Sequence, residues 1–193
     1  MTYEIEERKL HFKQPAGTSR GVYTTRQIWL VHLYDGNRHG IGECAPLPDL
    51  SCDALPDDEY VTVLDQACAA LCRWQDSQGD CPLCESLRNY PSILFGLETA
   101  LLSLNSIPAD APTRSLSRSL SHLLFDTAFS RGEVGIPING LVWMGNYDEM
   151  LHRLETKLEQ GFRCVKLKIG AIDFDQELDL VKRIRERFSF HEV

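Results

Sequence analysis

Hydrophobic positions recur along this chain with two different periods. Near the start they alternate with polar neighbours: Tyr3 and Ile5, then Leu10 and Phe12. A period of two marks a strand with one covered face. A denser apolar run follows at Gln27-Ile28-Trp29-Leu30-Val31-His32-Leu33-Tyr34, closed by Asp35-Gly36-Asn37. Asp-Gly favours a tight hairpin turn, so a third strand is expected through Gly40-Ile41-Gly42-Glu43. The three strands form an antiparallel meander. Between the first two, Gln14-Pro15-Ala16-Gly17-Thr18-Ser19-Arg20-Gly21 carries one Pro and two Gly, which predicts a mobile loop over 14–26.

The period then lengthens. Tyr60, Val61, Leu64, Ala67, Cys68 and Leu71 fall on one helical face within residues 59–74. A second helix is expected from Pro91, because a first turn has no use for the missing N–H. It carries Leu94, Phe95, Leu97, Ala100, Leu101 and Leu104. The Ser/Arg/Leu stretch from Thr113 to Phe129 fits helix, loop or a mixture. Residues 1–132 thus read as an α+β unit, a three-stranded antiparallel meander followed by helices.

From residue 133 the style changes. Ile136-Pro137-Ile138-Asn139-Gly140-Leu141-Val142-Trp143 is a strand candidate. Asn146 is a good N-cap and Glu149 completes a capping box. Met150, Leu151, Leu154 and Leu158 form the next apolar stripe, and Gly161 stops the helix. A second strand is expected at Arg163-Cys164-Val165-Lys166-Leu167-Lys168-Ile169. Asp173, with Gln176 three residues on, caps a helix whose stripe is Phe174, Leu178, Val181, Ile184 and Phe188. Strand–helix–strand–helix with short loops is the signature of parallel βαβ units. Two units cannot cover both faces of a parallel sheet. Residues 133–193 are therefore expected to be the first two βα units of a (β/α)8 TIM-type barrel, which needs eight strands. The chain reads as a fragment of a longer one.

Within the second strand the alternation is strict. Val165, Leu167 and Ile169 face one way, Lys166 and Lys168 the other. The flanking helices must pack on the apolar face, which leaves the lysines pointing into the barrel interior near the catalytic end of the strand. An edge strand guarded by lysines would give the same pattern. Strands of βαβ units seldom leave one face in water, however. Like charges brought together out of water favour the neutral amine, a usable base near neutral pH.

Composition narrows the function classes. Among 193 residues, 20 Lys+Arg stand against 28 Asp+Glu, a net charge of −8. An acidic chain with no basic run is a poor ligand for nucleic acid or anionic membrane. No apolar stretch reaches the roughly 18 residues of a membrane span, and the acidic N-terminus lacks signal-peptide regions. A cytoplasmic protein is expected, with its seven cysteines mostly free thiols. Cys68, Cys72, Cys81 and Cys84 allow a zinc or redox site, but the usual paired-knuckle spacing is absent.

The same residues carry a family resemblance. Lys166-Leu167-Lys168 resembles the K-x-K of the acid-sugar and muconate-type branches of the enolase superfamily. Gly40-Ile41-Gly42-Glu43-Cys44-Ala45-Pro46-Leu47-Pro48 looks like the G-x-G-E-x-x-P-L segment of their capping domain. Pro91-Ser92-Ile93-Leu94-Phe95-Gly96-Leu97-Glu98-Thr99-Ala100 is similar to their P-S-x-x-x-x-x-E-x-A helix. Most specific is the stretch Ile136-Pro137-Ile138-Asn139-Gly140-Leu141-Val142-Trp143-Met144-Gly145. With Gly161-Phe162-Arg163-Cys164-Val165-Lys166-Leu167-Lys168-Ile169-Gly170, it resembles the o-succinylbenzoate synthases of the muconate cycloisomerase-like branch.

The resemblance implies a carbon–oxygen lyase of menaquinone biosynthesis that uses Mg²⁺. Its substrate would be a small carboxylate, 2-succinyl-6-hydroxy-2,4-cyclohexadiene-1-carboxylate, dehydrated syn to 2-succinylbenzoate. Lys168 would take the α-proton and return it to the departing hydroxyl. Lys166 would hold the carboxylate, and Asn139 would line the pocket from the end of the first barrel strand. Ser19 and Arg20 would close over the succinyl tail. As alternatives, Arg20 is a solvated loop charge and Asn139 a turn cap. Glu43 and Glu98 read as structural. The family's metal ligands, Asp, Glu and Asp, lie on the third to fifth barrel strands, expected beyond Val193, so the fragment alone is expected to be inactive. The same scaffold also fits a dipeptide epimerase, an N-succinylamino acid racemase or a muconate cycloisomerase; a non-catalytic truncated product or binding module is the non-enzymatic alternative. Homo-oligomerisation through the exposed side of the meander stays open.

Overall fold

The computed structural model describes residues 1–18, 21–75, 83–106 and 125–193, without the side chains of Gln75 and Cys84. The chain divides into two compact units: Met1–His11 with Thr25–Arg131, and Phe12–Thr24 with Gly132–Val193. Among the described residues no helix is long and apolar enough to cross a membrane.

The first unit is built on three strands in the order β1 (Thr2–Thr18), β2 (Gly21–Asp35) and β3 (Arg38–Cys44). β2 and β3 pair antiparallel, from Trp29 opposite Cys44 to Asp35 opposite Arg38, around a turn with Gly36 at φ 58°. One expectation is corrected here. Residues 14–18 and 21–26 of the expected loop are strand: β1 runs to Thr18 and β2 starts at Gly21. Val22-Tyr23-Thr24-Thr25 is β-branched and aromatic, and that preference for a pleated strand outweighs the nearby glycines.

Helices α1 (Asp57–Gln75), α2 (Leu83–Ser86) and α3 (Pro91–Asn105) accompany the sheet. The core joins Trp29, Val31, Leu33 and Cys44 to Tyr60, Leu64, Leu71, Ile93 and Leu97. Trp29 stacks on Tyr60 at 4.4 Å between centroids. α3 lies close against β3 where glycines leave room. A Cβ on Gly42 would meet the Gly96 carbonyl oxygen at 1.9 Å, one on Gly40 the Ala100 oxygen at 2.3 Å, and one on Gly96 the Cys44 sulfur at 2.2 Å. The G-x-G-E and P-S-x-x-x-x-x-E-x-A segments are therefore the two sides of one close helix–strand contact. Glu43 and Glu98 are both exposed.

The start of α3 is held from outside the helix. Pro91 stands in the first turn, and the N-cap residue Tyr90 makes no side-chain cap. Buried Asp53 supplies the acceptor: its Oδ2 receives the Ser92 N–H at 2.7 Å and the Ser92 hydroxyl at 2.5 Å. The Ser92 oxygen also lies 2.7 Å from the Tyr60 hydroxyl. Asp53→Ala leaves these groups unpaired and is expected to cost about 2 kcal/mol. A lower urea midpoint with unchanged slope would verify it.

On the outer face of the sheet, His32 Nε2 is 3.1 Å from Glu6 Oε2 and His32 Nδ1 is 2.9 Å from His39 Nε2. A carboxylate only accepts, so His32 carries its proton on Nε2 and receives the His39 Nε2–H. Burial, then the adjacent His32 ring, hold His39 below the ordinary histidine pKa. The unfolded chain then binds more protons than the folded one below pH ~6.5. Stability is expected to fall as the pH drops through that value. Thermal melts at pH 7.5 and pH 5.5 measure the slope, and His39→Gln should flatten it.

The second unit contains β4 (Gly140–Val142), α4 (Tyr147–Glu159), β5 (Val165–Leu167) and α5 (Phe174–Arg187). β4 and β5 pair in parallel, Gly140 opposite Val165, Leu141 opposite Lys166 and Val142 opposite Leu167. Both strands are shorter than predicted: residues 136–139 are exposed and precede the ladder. The capping box at Asn146 and Glu149 is present, and Gly161 (φ 81°) ends α4. Asp173 is the N-cap residue of α5 but makes no side-chain cap. The nearly buried Glu177 instead accepts the Gly170 N–H at 2.5 Å. The predicted stripe on α5 is also corrected. Glu177, Leu180 and Ile184 are the buried residues, while Phe174, Leu178 and Val181 are exposed. The two sets lie on adjoining faces of the helix, and only one of them meets the Met150–Leu154–Val142 cluster.

Candidate active site

The parallel register sorts the residues of β4 and β5 by face. Val142, Val165 and Leu167 pack with Met150, Leu154, Leu180 and Ile184 under the two helices. Leu141 lies beside Lys166 on the opposite face. The next residues of each strand, Trp143 and Lys168, extend that face at the C-terminal edge. The Lys168 N–H donates to the Val142 carbonyl at 3.1 Å, which fixes the lysine beside Trp143. Its ammonium stands 3.5 Å above the centroid of the Trp143 ring. An indole face attracts a cation through its quadrupole.

Arg153 of α4 reaches back to the same edge. Its guanidinium donates to the carbonyls of Trp143 (3.1 Å) and Met144 (2.9 Å). Glu149 lies 3.8 Å from its other nitrogen. Phe12, Gln14, Pro15 and Ala16 of β1 line an open groove of about 280 Å³ with Trp143, Met144 and Arg153. These residues all belong to the second unit.

The lysines share one face, as the alternation requires, and the helices occupy the other. Burial differs from expectation. Lys166 is exposed and Lys168 half-buried, because the face they share has only the two strands of this small sheet beneath it. Ile169 is exposed as well, being past the last paired residue of β5. Asn139 is exposed and lies outside the β4–β5 ladder. It precedes β4, at the end opposite Trp143, so the predicted place at the strand's catalytic end is corrected. Ser19 and Arg20 lie outside the described residues. Trp143 and Arg153 are the members that sequence reading missed. Trp143 has the same parity as Leu141, but only the register shows that this parity is the lysine side.

Other chemistry is limited. Among the described residues no group of three or more His, Cys, Asp or Glu is placed to hold a metal ion. Cys44, Cys52, Cys68, Cys72 and Cys164 are thiols outside any disulfide. Burial pushes the Cys44 thiol up to about 12 and raises that of Cys68, which keeps both protonated and poorly nucleophilic. Of the predicted cysteine cluster, Cys81 and the Cys84 side chain lie outside the described residues.

Comparison with known proteins gives this arrangement a context. Residues 17–104 match the family described as MenC, N-terminal domain. The chain is 36% identical over 214 residues to an o-succinylbenzoate synthase of Desulfotalea psychrophila, covering 93% of this chain and 52% of that protein. Among solved structures it is similar to MenC of D. psychrophila LSv54, with TM-score 0.62 and 28% identity over 99% of this chain and 55% of the other. The o-succinylbenzoate synthase of Thermosynechococcus elongatus BP-1, complexed with Mg in the active site, gives 0.61 at 18% identity, covering 98% and 49%. At that identity the likeness is one of fold. The chain spans about half the length of these relatives. Residues 17–104 thus match the model of the MenC N-terminal domain, and the likeness to o-succinylbenzoate synthases extends over 93% of the chain.

Proposed function

We propose that this chain is the first half of an o-succinylbenzoate synthase, with residues 1–132 as its capping domain and 133–193 as the opening βα units of its barrel. The observation that carries the reading is the pair Lys166 and Lys168 on the sheet face that the helices leave open. The identity to the D. psychrophila enzyme across nearly the whole chain supports it. The substrate would be 2-succinyl-6-hydroxy-2,4-cyclohexadiene-1-carboxylate. Lys168 takes the α-proton, so the C–H pair becomes the new ring double bond as the C–O bond breaks. The same ammonium then gives its proton to the departing hydroxyl on the same face, and water leaves. Lys166 binds the substrate carboxylate. Ser19 and Arg20 are assigned to the succinyl tail.

A Mg²⁺ ion would stabilise the added negative charge on the substrate carboxylate when the α-proton leaves. The described residues of this chain do not form its site, and no step here is routed through it. The test is turnover of the cyclohexadiene carboxylate to the aromatic product by the full-length protein, with and without Mg²⁺. A protein that binds but does not dehydrate this substrate would exclude the reading. Epimerisation of a dipeptide instead would move the chain to another branch of the same scaffold.

A further inference from the structure

We propose that Trp143 is a positioning residue for Lys168: its ring face holds the ammonium at the edge of the sheet, and Arg153 clamps the backbone that carries the ring. The proposal rests on the reading of Lys168 as the base. Three observations converge on it. The Lys168 ammonium is 3.5 Å from the ring centroid, and among the described residues no carboxylate pairs with it. The Trp143 Nε1 is buried without a hydrogen-bond partner among those residues. With its N–H unpartnered, as that of Trp29 also is, the ring makes its polar contact through its face. Tryptophan is the best side chain for binding a cation through its face. Finally, two carbonyls in succession, at Trp143 and Met144, are held by one guanidinium. That fixes the two peptide units on either side of Met144, the first of which begins at the residue that carries the ring.

A lysine has four rotatable bonds, and freezing them at the moment of reaction costs catalysis. Once the amine has taken the proton, the ring face holds the ammonium that it becomes, so the contact should appear in kcat rather than in KM. The experiment uses the full-length protein with ¹³C-labelled lysine. One ε-methylene resonance, absent in Lys168→Ala, should be displaced upfield by the indole ring current. Trp143→Leu should return it to the position of a free lysine, and Trp143→Phe should keep part of the displacement. In the same variants, Trp143→Leu is expected to lower kcat roughly tenfold with KM little changed, and Trp143→Phe to recover most of it. An undisplaced Lys168 resonance in the unaltered protein overturns the proposal, as does a Trp143→Leu protein with unaltered kcat. If the displacement is present and Trp143-dependent while no dehydration occurs in any variant, the contact stands and the assigned reaction fails.

Discussion

Gly42→Ala is expected to cost about 3 kcal/mol or more and to lower the melting temperature of the first unit by roughly 12 to 24 °C. The added Cβ would sit 1.9 Å from the Gly96 carbonyl oxygen and 2.8 Å from the Ala100 nitrogen. Both atoms belong to the backbone of α3, so no side chain can rotate away. α3 would have to lift from β3, and Ile93, Leu97 and Ala100 would be drawn from the core they fill. Overfilling a core commonly costs about 1–3 kcal/mol where side chains can adjust; here only rigid elements can. Domains have about 5–15 kcal/mol in all, so the loss is a large share. Gly135→Ala is the matched control, because a Cβ at that position would meet nothing within 4 Å; it should change stability by less than about 0.5 kcal/mol. Circular dichroism melts of both variants decide the matter. Equal melting temperatures would mean that the α3–β3 approach is not tight in solution.

How much of this was legible beforehand depended on whether the pattern was local. The Asn146 capping box, the Gly161 stop and the Pro91 start were readable because each is settled within one turn of helix. The face of the lysines was readable because strand alternation is strict. Long-range matters were not. Glycines at 40 and 42 read as a strand motif, and nothing local says that a helix from much later in the chain presses against them. The strands at residues 14–18 and 21–25 were hidden by Pro15, Gly17 and Gly21, whose turn signal competes with the β-branched run after them. On α5, two apolar faces share Ile184, and only tertiary packing shows which is buried. Trp143 and Arg153 were missed for the same reason: one needs the β4–β5 register, the other a side chain reaching back from α4 to the strand edge.

Lys168→Ala is expected to lower kcat for the dehydration by roughly 10²–10⁴-fold, the usual contribution of a positioned general base. The protein should fold as before, since the Lys168 side chain is half-buried and outside the packed Val142–Met150–Leu180 cluster. Lys168→Arg should not rescue it, because a guanidinium does not give up its proton. Lys166→Ala separates the two lysines. Lys166 is exposed and bears the carboxylate in the proposed mechanism, so its loss should raise KM roughly 10- to 100-fold, the worth of one charge-assisted hydrogen bond. It should reduce kcat far less than loss of Lys168 does. Steady-state kinetics of the three full-length variants make the comparison. If Lys168→Ala stays within tenfold of the unaltered enzyme while Lys166→Ala loses kcat, the base is the other lysine. The strand then presents its catalytic amine one register step below the Trp143 edge, beside Leu141 instead of beside the indole.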